Sequence, residues 1–262
     1  MKTQGRSFGR KAKDALLRGL MYLCAGITCA LLVFLIGYIF FRGIPNLSWQ
    51  LISTQSSYRT NTIGILPNIL NTLYIIIVSM IIVVPLGVCA AIYLTEYAKN
   101  RKVVRLISFA TETLTGIPSI IFGLVGMLFF IQVLGLKPGI LAGGLTLVVM
   151  VLPTIISNTT ESLKTVPNSV DGIVTGCILA IGRIVGESAA LLFTAGFGLV
   201  LNDFITAMSS SSATLTVALY VFASERGEVG VAFGIATILM ILTFILNLAA
   251  NLAAKKLKRK GA

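Results

Sequence analysis

The chain contains no histidine, which removes the commonest general base and the commonest metal ligand. Its four cysteines, Cys24, Cys29, Cys89 and Cys177, each lie inside an apolar run, and none forms a CxxC pair. They read as small packing residues rather than as a disulfide or metal set. Charge is scarce: 11% of residues are charged, about half the share of a soluble domain. Acidic residues are scarcer still, nine against 21 basic, for a net charge of +12. In a soluble protein that balance would suggest nucleic acid. Here the basic residues sit at the edges of apolar runs, which excludes a nucleic-acid partner. No nucleophile–base pair, metal cluster or GxxxxGK[ST] phosphate loop is present, so the chain does not read as an enzyme and no cofactor is expected.

What the chain has is hydrophobicity. Apolar residues make up 56% of its 262 positions, the composition of a polytopic membrane protein. Six runs approach the length of a bilayer core: about 20–41, 69–94, 113–135, 139–157, 173–199 and 229–253. The first is longer than the ~7–15 apolar residues of a signal core and is read as a retained span. Leu136 to Gly139 form a tight turn between the third and fourth. The expectation is an all-α, six-span fold of the type I ABC-importer permease architecture.

Basic residues orient it. With both ends in the cytoplasm, 16 of the 21 lysines and arginines fall on inner segments and four on outer ones. The domain plan is a basic inner tail at 1–19, a membrane domain at 20–254 and a second basic inner tail at 255–262. The tails fix topology and touch anionic membrane lipid. In the long outer segment 200–228, the stretch TLTVALYVFA is too short to span and reads as a re-entrant or surface helix. Asn68, Asn71, Asn158 and Asn247 stand near span ends, where amides bridge helices. Pro85, Pro118 and Pro153 are expected to kink or break helices. Glycine pairs at 139/143, 172/176, 182/186 and 230/234 have the spacing that lets helix backbones approach.

One feature resists a packing explanation. Within ILAIGRIVGESAALLFTAGFG (178–198), Arg183 and Glu187 stand four residues apart. On a continuous helix, Gly176, Arg183, Glu187, Ala190 and Thr194 gather on one face, opposite an apolar stripe. An arginine at mid-membrane costs ~2.5–3.5 kcal/mol. An ion pair that merely pins helices is often replaceable by apolar residues, so a solute contact is the sharper reading. The planar guanidinium matches oxyanions such as phosphate or carboxylate, and Glu187 would temper its field so that the anion can leave.

These motifs carry a resemblance. GRIVGESAALLFTAGFG, YLTEYAKN (93–100), ATETLTGIPSIIFGLVG (110–126) and VLPTIISNTTESLKTVP (151–167) resemble the membrane-spanning permeases of bacterial phosphate ABC importers, more the PstA type than the PstC type. The likeness runs from about Asn68 to Ala254. It implies phosphate passage along Arg183 and Glu187, and Thr194, on the same expected face, is read as part of that translocation path. It also implies a PstC-type second permease, ATPase subunits and a periplasmic phosphate-binding protein as partners, in the bacterial inner membrane.

The chain departs from that pattern once. In the family a cytoplasmic ATPase-docking segment of EAA type follows ESLKTVP. Here VPNSV (166–170) runs directly into DGIVTG (171–176), so the segment is missing between Val170 and Asp171. Either it is a real deletion or the sequence omits it.

Two further places offer an anion contact. Glu112 is read as a first-turn acid capping the third span. Pro118 and Ser119 would break that helix and leave backbone N–H groups for an anion. The alternatives are a self-sufficient ion-coupled anion carrier, an ABC permease for another oxyanion, and a scaffold that moves no solute.

Overall fold

The computed structural model describes residues 8–57, 62–165 and 171–260. Helix α1 (Phe8–Gly43) follows the first apolar run. Helix α2 (Trp49–Ser53) is capped by Ser48, whose Oγ accepts the Leu51 N–H at 3.0 Å. Strands β1 (Gln55–Ser57) and β2 (Thr62–Ile65) form a small antiparallel hairpin that the all-helical expectation did not include. Helix α3 (Leu66–Ile92) starts with Pro67 in its first turn, where a missing N–H costs nothing, and widens into a π-type turn over Tyr93–Tyr97.

Then come α4 (Arg101–Thr115), capped by the Asn100 side chain on Lys102 N–H, and α5 (Ser119–Gly126), prolonged by a π-type turn over Met127–Val133. Helices α6 (Ile140–Thr165) and α7 (Asp171–Gly186) follow. The rest is α8 (Ala189–Thr194), α9 (Phe204–Met208), α10 (Leu215–Tyr220), whose π-type extension reaches Glu225, and α11 (Val229–Lys260).

The fold is that of an all-α multi-pass membrane protein. Among the described residues four helices are long and apolar enough to cross a bilayer: Lys13–Asn46, Leu66–Tyr97, Ile140–Lys164 and Val229–Ala253. The third expected span is corrected. Residues 101–115 and 119–133 are two limbs bent by 102°, so the expected run 113–135 is not one straight helix and its apolar limb starts at Ser119. Gly116 and the residue before Pro118 explain the stop, since proline disfavours helix at its predecessor. The fifth is corrected too, because 173–199 is not one helix. Its apolar part, Ile173–Gly186, reaches only about 21 Å at 1.5 Å per residue, short of a ~30 Å hydrocarbon core. The 166–170 junction, where the docking segment is expected to be missing, lies outside the described residues.

The main core packs α3, α6 and α7 through Ile75, Val83, Leu147, Val151, Ile155 and Ile184. A second cluster joins Leu51, Ile65, Leu215, Phe222 and Ile235. Helix α1 packs on α11, where the Tyr38 and Phe233 rings meet edge-on at 5.7 Å. Its large side chains from Leu16 to Phe34 are exposed, as a lipid-facing or partner-facing helix requires.

The glycine pairs divide. A Cβ on Gly139 would meet backbone oxygens of Met208 and Ser210 at 2.7 and 2.9 Å, and one on Gly230 would meet Asn46 Oδ1 at 2.7 Å. Gly182 and Gly186 have nothing within 4 Å. Their spacing mediates no close approach among the described residues.

Candidate functional site

Arg183 lies in the last turn of α7. The helix ends at Gly186, a weak helix former, and the tertiary bond that the Glu187 carbonyl makes beyond it fixes the break. Glu187 closes the end through its N–H to Ile184 O at 3.3 Å. Its carboxylate then turns forward: Oε1 accepts the Ala190 N–H at 3.0 Å, satisfying one of the orphan donors that begin α8. Its own carbonyl accepts the Thr216 hydroxyl at 2.7 Å, which ties the break to α10. Thr214 Oγ1 lies 3.0 Å from that hydroxyl.

This geometry corrects the single-face picture of Arg183, Glu187 and Thr194. Beyond Gly186 the helical register is lost, and the three residues do not lie on one continuous helix. Among the described residues no ion pair joins Arg183 to Glu187. The Arg183 guanidinium instead donates through Nη1 to Thr154 Oγ1 on α6, at 3.5 Å. Arg183 and Glu187 are both half-buried. Thr194 is fully buried, its hydroxyl donating to Ala190 O at 2.9 Å and its carbonyl accepting the Gly139 N–H at 3.1 Å.

Helix α8 presses on α5. A Cβ on Gly123 would come within 2.7 Å of Ala190 Cα and 3.0 Å of its carbonyl oxygen, so only glycine lets the two backbones meet. After α8, Gly196 adopts φ +84°, ending the helix in a left-handed turn. The chain then folds back into the protein. Asn68 and Asn71 of α3 both donate to Ala213 O, at 2.9 and 3.1 Å, and Thr72 Oγ1 accepts the Leu215 N–H at 2.9 Å. The short apolar stretch expected as a re-entrant or surface helix is α10, packed into the bundle and buried at Leu215, Val217 and Ala218. Asn68 and Asn71 bridge as expected.

Pro118 and Ser119 do mark a helix break, and the Pro118 carbonyl accepts the Ile121 N–H at 3.0 Å. Glu112 is corrected: it sits in the last turn of α4, not the first, because its helix already begins at Arg101. It lines a cleft of about 220 Å³ with Ser108, Thr111, Ser157, Thr160, Glu161 and Lys164. No hydrogen bond or ion pair links Arg183 to Glu112 or Ser119 among the described residues. The sequence reading missed Thr154 and Thr216. Hydroxyls are common in membrane helices, and each partner lies 29 positions away.

No family model matches the chain. It is 37% identical over 211 positions to "Probable ABC transporter permease protein YqgI" of Bacillus subtilis, covering 71% of this chain and 72% of that protein. It is 28% identical over 245 positions to "Phosphate transport system permease protein PstA" of Haemophilus influenzae, covering 84% and 85%. The protein of the same name from Pasteurella multocida is 27% identical over 270 positions, covering 93% and 95%.

Each alignment outruns the stretch of chain it covers. For the Bacillus protein, 71% of 262 residues is about 186 against 211 positions, so roughly 25 positions have no residue here. For the Haemophilus protein, 84% is about 220 against 245, again roughly 25.

Proposed function

Since the chain belongs to the ABC transporter permeases of the PstA type, we propose that it is the membrane-spanning subunit through which inorganic phosphate crosses a bacterial inner membrane. The carrying observation is Arg183: a permanently charged fork at a helix break, half-buried, spending one hydrogen bond on Thr154. That leaves guanidinium donors for a phosphate oxyanion in a medium where charge is expensive. A site with a single anchoring arginine holds the anion weakly enough to release it.

Glu187 has a different part from the one its spacing suggested. Its carboxylate holds the start of α8, so it shapes the break beside Arg183 and lowers the local field from there. Thr194 supports α8 from inside, where no solute reaches it. Both chain ends face the cytoplasm, as the excess of basic residues on those segments supports. The working assembly pairs this subunit with a PstC-type permease, ATPase subunits that supply the energy, and a periplasmic phosphate-binding protein. A self-sufficient ion-coupled carrier finds no support among the relatives, which are transport permeases of ABC systems. The shortfall of roughly 25 aligned positions fits the missing docking segment, the element through which ATPases would grip the subunit.

The test is labelled-phosphate uptake in cells lacking their PstA-type subunit and supplied with this chain. Uptake that disappears in Arg183→Gln, with membrane insertion intact, supports the reading. Equal uptake in the variant removes Arg183 from the pathway. No uptake from either chain, followed by recovery when a docking segment is inserted after Val170, separates lost coupling from a wrong solute.

A further inference from the structure

Helix α4 differs in kind from its neighbours. It is bent by 102° from the apolar limb Ser119–Val133, so with that limb along the bilayer normal α4 lies nearly in the membrane plane. Its depth is marked by Tyr93 and Tyr97 at the end of α3, 52% and 70% exposed, since tyrosines gather at the headgroup level. Only Ala98 to Asn100 separate those rings from Arg101.

Its two sides have unlike surroundings. Val104, Ile107 and Leu114 are half-buried and Thr111 is buried, on the side packed against α6. The other side carries Arg101, Lys102, Arg105, Leu106 and Phe109 within about 140° of arc. These five residues line an open groove of about 670 Å³, with Leu106 67% and Phe109 65% exposed. The acidic residue of this helix, Glu112, is exposed and stands about two turns beyond Arg105 on the same arc, where it lines the cleft with Glu161 and Lys164 rather than the groove. Three cations therefore share an open surface with two large apolar side chains, the pairing of an interfacial helix.

We propose that this groove binds acidic phospholipid of the leaflet that α4 lies in, with Arg101, Lys102 and Arg105 on the headgroup and Leu106 and Phe109 on the upper acyl chains. Charge complementarity selects the occupant, because a zwitterionic headgroup cancels the attraction that three cations offer. Leu106 and Phe109 separate a lipid from free phosphate, which has no apolar part to bury. The inference rests on the membrane fold and not on the transported solute.

The experiment measures binding of a fluorescent phosphatidylglycerol to the purified full-length chain in neutral detergent. Unlabelled phosphatidylglycerol, phosphatidylcholine and inorganic phosphate serve as competitors. Phosphatidylglycerol is expected to displace the probe, and the other two are not. Removing one surface cation weakens anionic-lipid binding by about fivefold, so R101Q/K102Q/R105Q should lose well over an order of magnitude. L106N/F109N, with every charge kept, should also weaken binding several-fold. K255Q/K256Q/K258Q, which removes as many charges from the C-terminal tail, should change it little.

Equal losses in the two triple variants, or displacement by inorganic phosphate, would overturn the proposal. So would unchanged binding in L106N/F109N, which would point to a protein docking surface instead. The wild-type preference for phosphatidylglycerol over phosphatidylcholine needs no variant, and its absence alone rejects the site.

Discussion

The carboxylate of Glu187 accepts the backbone N–H of Ala190 at 3.0 Å and so begins a new helix at the point where α7 ends. The pair turns an expected straight span into two pieces and leaves Arg183 beside the break. Glu187→Gln keeps an acceptor at that position, whereas Glu187→Ala removes it. The alanine variant should lose about 1 kcal/mol of stability, the usual worth of a helix cap, and the glutamine variant little. Thermal unfolding of the purified chain compares them. Equal losses would mean that the charge, not the cap, is what Glu187 supplies.

Thr154 is the partner of Arg183, at the long end of hydrogen-bond range. Such bonds between membrane helices average about 0.6 kcal/mol, roughly threefold in an equilibrium constant. Thr154→Val should raise the uptake KM by about that factor with little change in maximal rate, and Thr154→Ser should restore it. A fall in maximal rate with KM unmoved would assign Thr154 to the conformational step instead.

Two helical glycines should behave oppositely. Gly123→Ala places a methyl 2.7 Å from Ala190 Cα, a backbone atom that cannot step aside, and should cost about 1–3 kcal/mol. Gly182→Ala meets nothing within 4 Å on a regular helix and should be neutral or stabilising, by up to about 1 kcal/mol. Unfolding midpoints of the two variants decide it; a destabilised Gly182→Ala would reveal a neighbour from another subunit.

The Ala213 carbonyl takes both its hydrogen bonds from Asn68 and Asn71. Replacing the two asparagines by leucine strands that buried carbonyl, at a cost of about 1–3 kcal/mol. The segment leading into α10 should then open to protease from its outer side before the helices unfold. Cleavage no faster than in the parent chain would show that Thr72 alone holds it.

Much of this protein was legible from one dimension. Where a solvent is uniformly apolar, twenty consecutive hydrophobic residues suffice to demand a helix, so α1, α3, α6 and α11 follow from composition. Arg183 stood out for the same reason: its cost is set by the bilayer, not by its neighbours. The amides of Asn68 and Asn71 were visible as bridging residues, though not the carbonyl they would share.

The break at Glu187 was not legible. Alternation of apolar and small residues continues through IVGESAALLF, so a periodic reading carries the helix on. Tertiary contacts decide otherwise. Thr216 claims the Glu187 carbonyl, and Gly123 admits the α8 backbone. Likewise, the basic residues at 99–105 were legible as a charged cluster, while only the structure shows the 102° bend that separates α4 from the limb after it. Sequence sets what lipid will tolerate at each position. Which backbone groups remain to be satisfied, and by whom, depends on residues far apart in the chain meeting in space.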